Sequence, residues 1–323
     1  MRFIIYGAGG IGGSIGARLH LNGEEVILVA RGKHFEAIQA SGLAFHTPTI
    51  HESLPIDVVS HARDIHVQSD DVVILCMKTQ HVEGALRDLQ MNAPSNTPIV
   101  CCQNGVASER MALRRFSRVY GMVVWLPAEH LEPGVVVNFA ENRAGNLDAG
   151  CYPRGVDETI ERVTSAIHAA GFVSRPDPNI MAQKYAKLMV NLTNALDAAC
   201  VERPDDVIQE MQSEARGCCD AAGIDYADFR GSRARRGDIR GGPVDGFQRH
   251  GSSTLQSLMR ETGDIEADYL NGEIVQLGRL HGIPTPTNAA VQQIGISLIC
   301  GEIKPRSLSA DTVRELVNQV RSK

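Results

Sequence analysis

The chain has 323 residues, of which 43% are apolar and 22% charged, with a net charge of −6. That length exceeds the size at which one hydrophobic core usually stops growing, so two domains are expected. The negative balance argues against a nucleic-acid or anionic-membrane binder, and no apolar run reaches the length of a membrane span.

The N-terminal "MRFIIYGAGG" runs from a strand-like stretch straight into a glycine turn. It has no apolar h-region or cleavage site of a signal peptide, which points to a cytoplasmic protein. "RFIIYG", "EVILVAR", "DVVILCMK" and "PIVCCQNG" read as strands apolar on both faces, and "GGSIGARLHLNG" and "HVEGALRDLQM" as helices between them. Such alternation predicts a doubly wound, Rossmann-type α/β sheet over residues 1–176. "RVYGMVVWLPA" and "GVVVNFA" follow without long helices between them and are expected to extend the sheet antiparallel. Beyond the proline-punctuated "GFVSRPDPNI", the strand-like runs stop. Helical periodicity then occupies about 180–200, 203–223, 253–281, 288–300 and 309–321, predicting an all-helical domain over 177–323. The intervening stretch 228–253, with six arginines and six glycines, reads as a mobile surface loop, or alternatively as a lid over an anion. The eight cysteines lack metal-ligand spacing and read as small buried hydrophobes, so no metal site is expected.

"YGAGGIGG" places Gly7, Gly9 and Gly12 in the G-x-G-x-x-G pattern, after a strand and at the opening of a helix. The segment Gly7, Ala8, Gly9, Gly10, Ile11 and Gly12 is therefore expected to hold a dinucleotide pyrophosphate on backbone amides and a helix N-terminus. The second strand ends in Arg31, with Lys33 close behind, where an NAD site would usually carry an acid. A guanidinium suits a 2′-phosphate, so the cofactor is expected to be NADPH/NADP. Two further strand ends, Lys78 in "CMKTQ" and Asn104 before Gly105, point to the same crevice. In "KYAKLMVNLTN", helical spacing stacks Lys184, Lys187, Asn191 and Asn194 on one face, a candidate lining for a small anion. His130 is a weaker candidate acid, flanked only by Glu129 and Glu132.

With "GAGGIGG", Arg31, Lys78, "QNG" at 103–105, "KLMVN" at 187–191 and "SSTLQS…IEADYLNG" at 252–272, the chain resembles the ketopantoate reductase family nearly end to end. These are NADPH-dependent 2-dehydropantoate 2-reductases. The resemblance implies Lys187 as general acid and Asn191, Asn194 and Ser253 as substrate ligands. It implies Glu266 as the active-site glutamate near both lysine and cofactor, Asn104 near the nicotinamide ribose and substrate, and Lys78 near cofactor or substrate. The chain departs from the family pattern at Asn194, which precedes Ala195 rather than proline, and by one extra residue between Ser253 and Glu266. Ser253 with Gln256 also forms a capping box, a purely structural role for that serine. The alternatives are a reductase of a different 2-oxo acid and a non-catalytic NADP-sensing regulator. The expected partner is a small 2-oxo acid, and pairing of the helical domains into a homodimer is compatible with this layout.

Overall fold

In a computed structural model, the described residues are 1–228, 235, 237, 239–251, 253–259 and 265–322, the side chains of Ser253 and Met259 aside. They divide into two compact units. The first comprises Met1–Lys184 and Asp228–Arg249, the second Tyr185–Ala227 and His250–Lys323. The chain passes from one to the other within the helix Ile180–Asn191, beyond the expected boundary at residue 176.

In the first unit the strands are β1 (Arg2–Tyr6), β2 (Glu25–Val29), β3 (Leu43–His46), β4 (His51–Leu54), β5 (Asp57–Val59) and β6 (Asp71–Leu75), followed by β7 (Ile99–Cys101), β8 (Val119–Met122), β9 (Ala128–Glu129), β10 (Val135–Asn138) and β11 (Ala149–Cys151). A seven-stranded sheet runs in the order β11-β8-β7-β6-β1-β2-β5 and is parallel except at its β11 edge. The central strands read as continuous apolar runs because both faces are covered. Phe3 and Ile5 of β1 join Val72, Ile74 and Val100 in one core cluster, while Ile4 and Tyr6 join Val73, Leu75 and Ile99 in another. Each fully buried side chain of this size contributes about 1.5–3 kcal/mol relative to exposure.

Two sequence expectations are corrected here. Val119–Met122 pairs parallel to β7 rather than antiparallel, because the short helix Ser108–Leu113 supplies the crossover. Val135–Asn138 leaves the main sheet altogether and joins a second one, ordered β4-β3-β10-β9. The helix Gly10–Leu21 packs on both sheets through its glycines. A Cβ at Gly16 would meet Leu28 of β2 at 2.7 Å, and one at Gly13 would meet Val136 of β10 at 2.6 Å.

Within the predicted surface loop 228–253, most described side chains are exposed, but the backbone is tied to the first unit. Gly241 bridges Ala140, Glu141 N donates to Arg240 O at 2.9 Å, and Gly242 N donates to Phe139 O at 2.7 Å. Val244 packs with Val137 and Phe139, and Arg235 pairs with the buried Asp148 at 2.7 Å and with Asp177 at 3.4 Å. The remaining arginines of its first half, and Phe229, lie outside the described residues.

The second unit is helical: the end of Ile180–Asn191, then Asn194–Ala199, Asp205–Ala221, Ser253–Met259, Asn271–His281, Pro286–Ile299 and Ala310–Arg321. Two expected long helices are interrupted. The 180–200 run breaks at Leu192 and Thr193, where the Thr193 hydroxyl donates to Val190 O at 3.2 Å and competes with the backbone ladder. The 253–281 run contains a separate 3₁₀ turn, Ala267–Tyr269, before its last helix. Among the described residues no helix is long and apolar enough to cross a membrane.

Candidate active site

The glycine turn sits at the carboxyl end of β1, and its geometry fits a dinucleotide. Gly7 has φ +101°, and a Cβ there would lie 2.8 Å from Met77 N, so only glycine serves. A Cβ at Gly12 would fall 2.1 Å from Gly7 O and 2.8 Å from Cys76 Cβ, which makes this position one of close helix–strand packing. A Cβ at Gly9 would meet nothing within 4 Å, so the turn presents open space and bare backbone on that side. Gly9 is the N-cap of the helix Gly10–Leu21, whose N-terminus has no side-chain cap and no acid in its first turn. Backbone donors and the positive end of the helix dipole are thus left for a phosphate.

Beneath the turn, His34 Nε2 donates to Ala8 O at 2.8 Å, and Gly134 N donates to His34 Nδ1 at 2.8 Å. Because a carbonyl only accepts, these two bonds define a neutral imidazole protonated at Nε2. Burial pushes its pKa down, opposed by the bond to Ala8. Its ring lies 3.9 Å from that of His130, centroid to centroid. His130 Nδ1 in turn donates to Val135 O at 3.0 Å. This geometry gives His130 a place beside the support of the turn.

Arg31 stands at the end of β2, 60% exposed, with Nη2 3.3 Å from the Tyr6 hydroxyl and 3.7 Å from Asp88 Oδ2. Tyr6 donates to the same Asp88 oxygen at 3.1 Å. Lys78 is the half-buried N-cap of the 3₁₀ turn Thr79–His81 after β6. Asn104 follows β7, where Thr79 Oγ1 donates to its carbonyl at 3.3 Å. Gly7, Lys78 and Asn104 therefore all follow the carboxyl ends of adjacent parallel strands, where ligands bind in open α/β sheets.

Lys184 departs from the row predicted for it. It is 2% exposed, and its Nζ lies 2.5 Å from Glu109 Oε1, within the first unit. The other three members of the row lie in the second unit. Lys187 is half-buried, one turn ahead of Asn191 on the helix Ile180–Asn191. Asn191 is 5% exposed, and its amide nitrogen has no hydrogen-bond partner among the described residues. Asn194 opens the next helix, so the break at Leu192 and Thr193, rather than continuous helical spacing, sets its direction.

Glu266 is 8% exposed at the N-cap of the 3₁₀ turn Ala267–Tyr269. A Cβ at Gly295 would meet Ala267 Cβ at 2.7 Å and Ala195 Cβ at 3.6 Å, so this glycine brings the Glu266 segment close to the helix that Asn194 opens. Ser253 begins the helix Ser253–Met259, but its side chain lies outside the described residues, as does Ser252.

Sequence reasoning missed the support of this region. Asn271 Nδ2 donates to Leu192 O at 3.2 Å and to Asn288 Oδ1 at 3.3 Å, satisfying a carbonyl at the helix break. Asn288 Nδ2 donates to Glu214 Oε2 at 2.8 Å, and Glu214 also accepts the backbone amides of Thr287 and Asn288. The signal available was Asn271 itself, a poor helix former inside "DYLNG". Five of the eight cysteines are buried as expected, Cys76 and Cys151 are half-buried and Cys300 is exposed; burial pushes Cys76 and Cys101 well above the ordinary thiol range and Cys219 up to about 12.

A glycine-turn crevice in a parallel sheet, followed by a helical unit, defines a dinucleotide-dependent oxidoreductase architecture. The sequence pattern described as ketopantoate reductase PanE/ApbA matches residues 3–153, and that of its C-terminal part matches residues 179–295. The chain belongs to the ketopantoate reductase family and is an oxidoreductase; enzymes of this family use NADPH. A 2-dehydropantoate 2-reductase from Pyrococcus horikoshii is 28% identical over 299 residues, covering 89% of this chain and 94% of the relative. The crystal structure of a PanE/ApbA family ketopantoate reductase from Ralstonia eutropha JMP134 is similar at a TM-score of 0.76 and 26% identity, covering 99% of this chain and all of that one. D-mandelate dehydrogenase, solved with NADH and anilino(oxo)acetate, shares the fold at a TM-score of 0.78 and 20% identity, over 94% of this chain and all of that one.

Proposed function

We propose that this chain reduces 2-dehydropantoate, or a close 2-oxo acid, to the 2-hydroxy acid with NADPH. The observation that carries this reading is the buried amide of Asn191, whose nitrogen has no hydrogen-bond partner among the described residues, one helical turn beyond Lys187. A buried donor without a partner costs about 1–3 kcal/mol, a cost that a bound carboxylate or hydroxyl offsets. The curated relatives that carry the name 2-dehydropantoate 2-reductase support the choice of oxo acid.

When bound, the nicotinamide supplies the hydride. The chain's own residues hold the reactants and supply the proton. The glycine turn takes the pyrophosphate, Arg31 the 2′-phosphate, and Lys78 and Asn104 border the same crevice. Lys187 donates its proton to the oxygen of the developing alkoxide, and Glu266 steadies the ammonium. Asn191, Asn194 and Ser253 donate hydrogen bonds to the substrate carboxylate and hydroxyl without adding charge.

The test is NADPH oxidation followed at 340 nm with a panel of oxo acids, 2-dehydropantoate among them. Turnover on 2-dehydropantoate is expected, and it falls by about 10²–10⁴ in Lys187→Ala with NADPH affinity retained. NADPH binding without turnover on any oxo acid would sink the reading in favour of a regulatory role.

A further inference from the structure

We infer that Lys184 is a positioning residue for the loop that presents Asn104, with Glu109 as its buried counter-ion; this rests on the reductase reading above. The Lys184 ammonium donates to two loop carbonyls and forms an ion pair with one carboxylate. Glu109 Oε1 is at 2.5 Å, Gln103 O at 3.2 Å and Cys101 O at 3.3 Å. Cys101 is the last residue of β7 and Gln103 immediately precedes Asn104, so the lysine clips the backbone where it leaves the sheet. Glu109 lies on the helix Ser108–Leu113 that follows the same loop. One cation therefore ties down the loop at both of its ends.

Other contacts hold the loop from the neighbouring strand. Gln103 Nε2 donates to Leu75 O of β6 at 2.6 Å, and Thr79 Oγ1 donates to Asn104 O. Gly105, at φ +82°, supplies the reversal that only glycine adopts without strain. Room for the ion pair is made by Gly121 of β8, where a Cβ would sit 3.3 Å from Glu109 Oε1 and 3.3 Å from Lys184 Cδ.

Stability alone is a poor reason for this arrangement. Lys184 is 2% exposed and Glu109 fully buried, and well-packed apolar residues usually replace such pairs at no loss. What apolar residues lack is a donor for the two loop carbonyls. The clip fixes the loop at the mouth of the sheet, where reacting groups are held to fractions of an ångström.

The experiment compares wild type with the double variant Lys184→Met, Glu109→Leu, which removes both charges and keeps the volume close. Expected are a melting temperature within several degrees of wild type, since removal of two buried charges is set against two carbonyls that lose a donor, an NADPH Kd within about threefold, and a kcat lowered about tenfold. Wild-type kcat in the folded variant overturns the proposal, and so does an equal loss of kcat and cofactor affinity. Should the double variant fail to fold, Glu109→Gln is compared by hydrogen–deuterium exchange over residues 101–109. Faster exchange there with lower kcat and unchanged Kd is expected; unchanged exchange, or faster exchange at full kcat, overturns the clip. Wild-type turnover in the same assay checks the reductase reading separately, because its absence removes that reading while the exchange comparison still reports on the clip.

Discussion

The Arg31 guanidinium reaches the Tyr6 hydroxyl at 3.3 Å, and that hydroxyl donates to Asp88. Burial raises the Tyr6 pKa, so the phenol stays protonated and stays a donor. The cation is thus held at the ends of β1 and β2 beside a resident carboxylate 3.7 Å away. If Arg31 takes a 2′-phosphate as proposed, that phosphate competes with the carboxylate for the same fork of donors.

Arg31→Ala is expected to weaken NADPH about tenfold while leaving NADH within twofold, by fluorescence titration. Asp88→Asn is expected to act oppositely. Both side chains are more than a third exposed, so the pair contributes below about 1 kcal/mol and the gain in NADPH affinity is up to about fivefold. An unchanged NADPH-to-NADH ratio in both variants removes Arg31 from the cofactor site.

Gly9 and Gly12 are expected to fail differently. Gly9 has φ −67°, and a Cβ there meets no protein atom, so Gly9→Ala folds normally and loses NADPH affinity by tenfold or more. Gly12→Ala pushes a methyl into Gly7 O and Cys76, which lowers the melting temperature whether or not cofactor is present. Calorimetry with and without NADPH separates the two.

Acid is expected to loosen the glycine turn through His34. Its folded pKa lies below its unfolded value of about 6.5. Its contribution is therefore fully present above pH ~6.5 and declines as pH falls from there through the lower folded value. Protonation at Nδ1 also removes the acceptor for Gly134 N. His34→Gln, which has no titrating ring, is expected to flatten NADPH affinity between pH 5 and 7; a profile that still matches wild type assigns the acid sensitivity elsewhere.

Asn271→Ala leaves Leu192 O without its donor at the helix break. An unsatisfied buried carbonyl costs about 1–3 kcal/mol, so thermal unfolding shifts down by several degrees. The KM for the oxo acid is expected to rise more than that for NADPH, because Asn191 and Asn194 flank the break. Equal changes in both would make Asn271 a general stability residue.

The strands β1, β2, β6 and β7 were legible because burial on both faces forces unbroken apolar runs, and the glycine turn because its backbone needs leave a fixed spacing. β3 and β4 were not, since "LAFH" and "HESL" are short, mixed in polarity and stabilised by pairing with distant partners. The helix Ile180–Asn191 carries Lys184, Lys187 and Asn191 at the expected spacing, but the Lys184 ammonium is buried against Glu109. Periodicity reports which residues share a stripe, but a long lysine also takes its direction from its partner, here a glutamate 75 positions earlier in the chain. Thr193 ended the helix through a hydroxyl bond that composition alone does not weigh. The docked part of 228–249 was hidden because its attachment is largely backbone pairing, to which arginine and glycine content gives no clue.

The peptide returns to its first unit at Asp228 and leaves it again after Arg249. Neither half of this enzyme is therefore encoded by one uninterrupted stretch of gene. A truncation after the strands discards a piece that pairs with Ala140 and neutralises Asp148, and the complementary fragment carries that piece with nothing to receive it. Dissecting the protein into working parts calls for grafting residues 228–249 onto the N-terminal fragment and bridging the gap left in the other, not for a single cut.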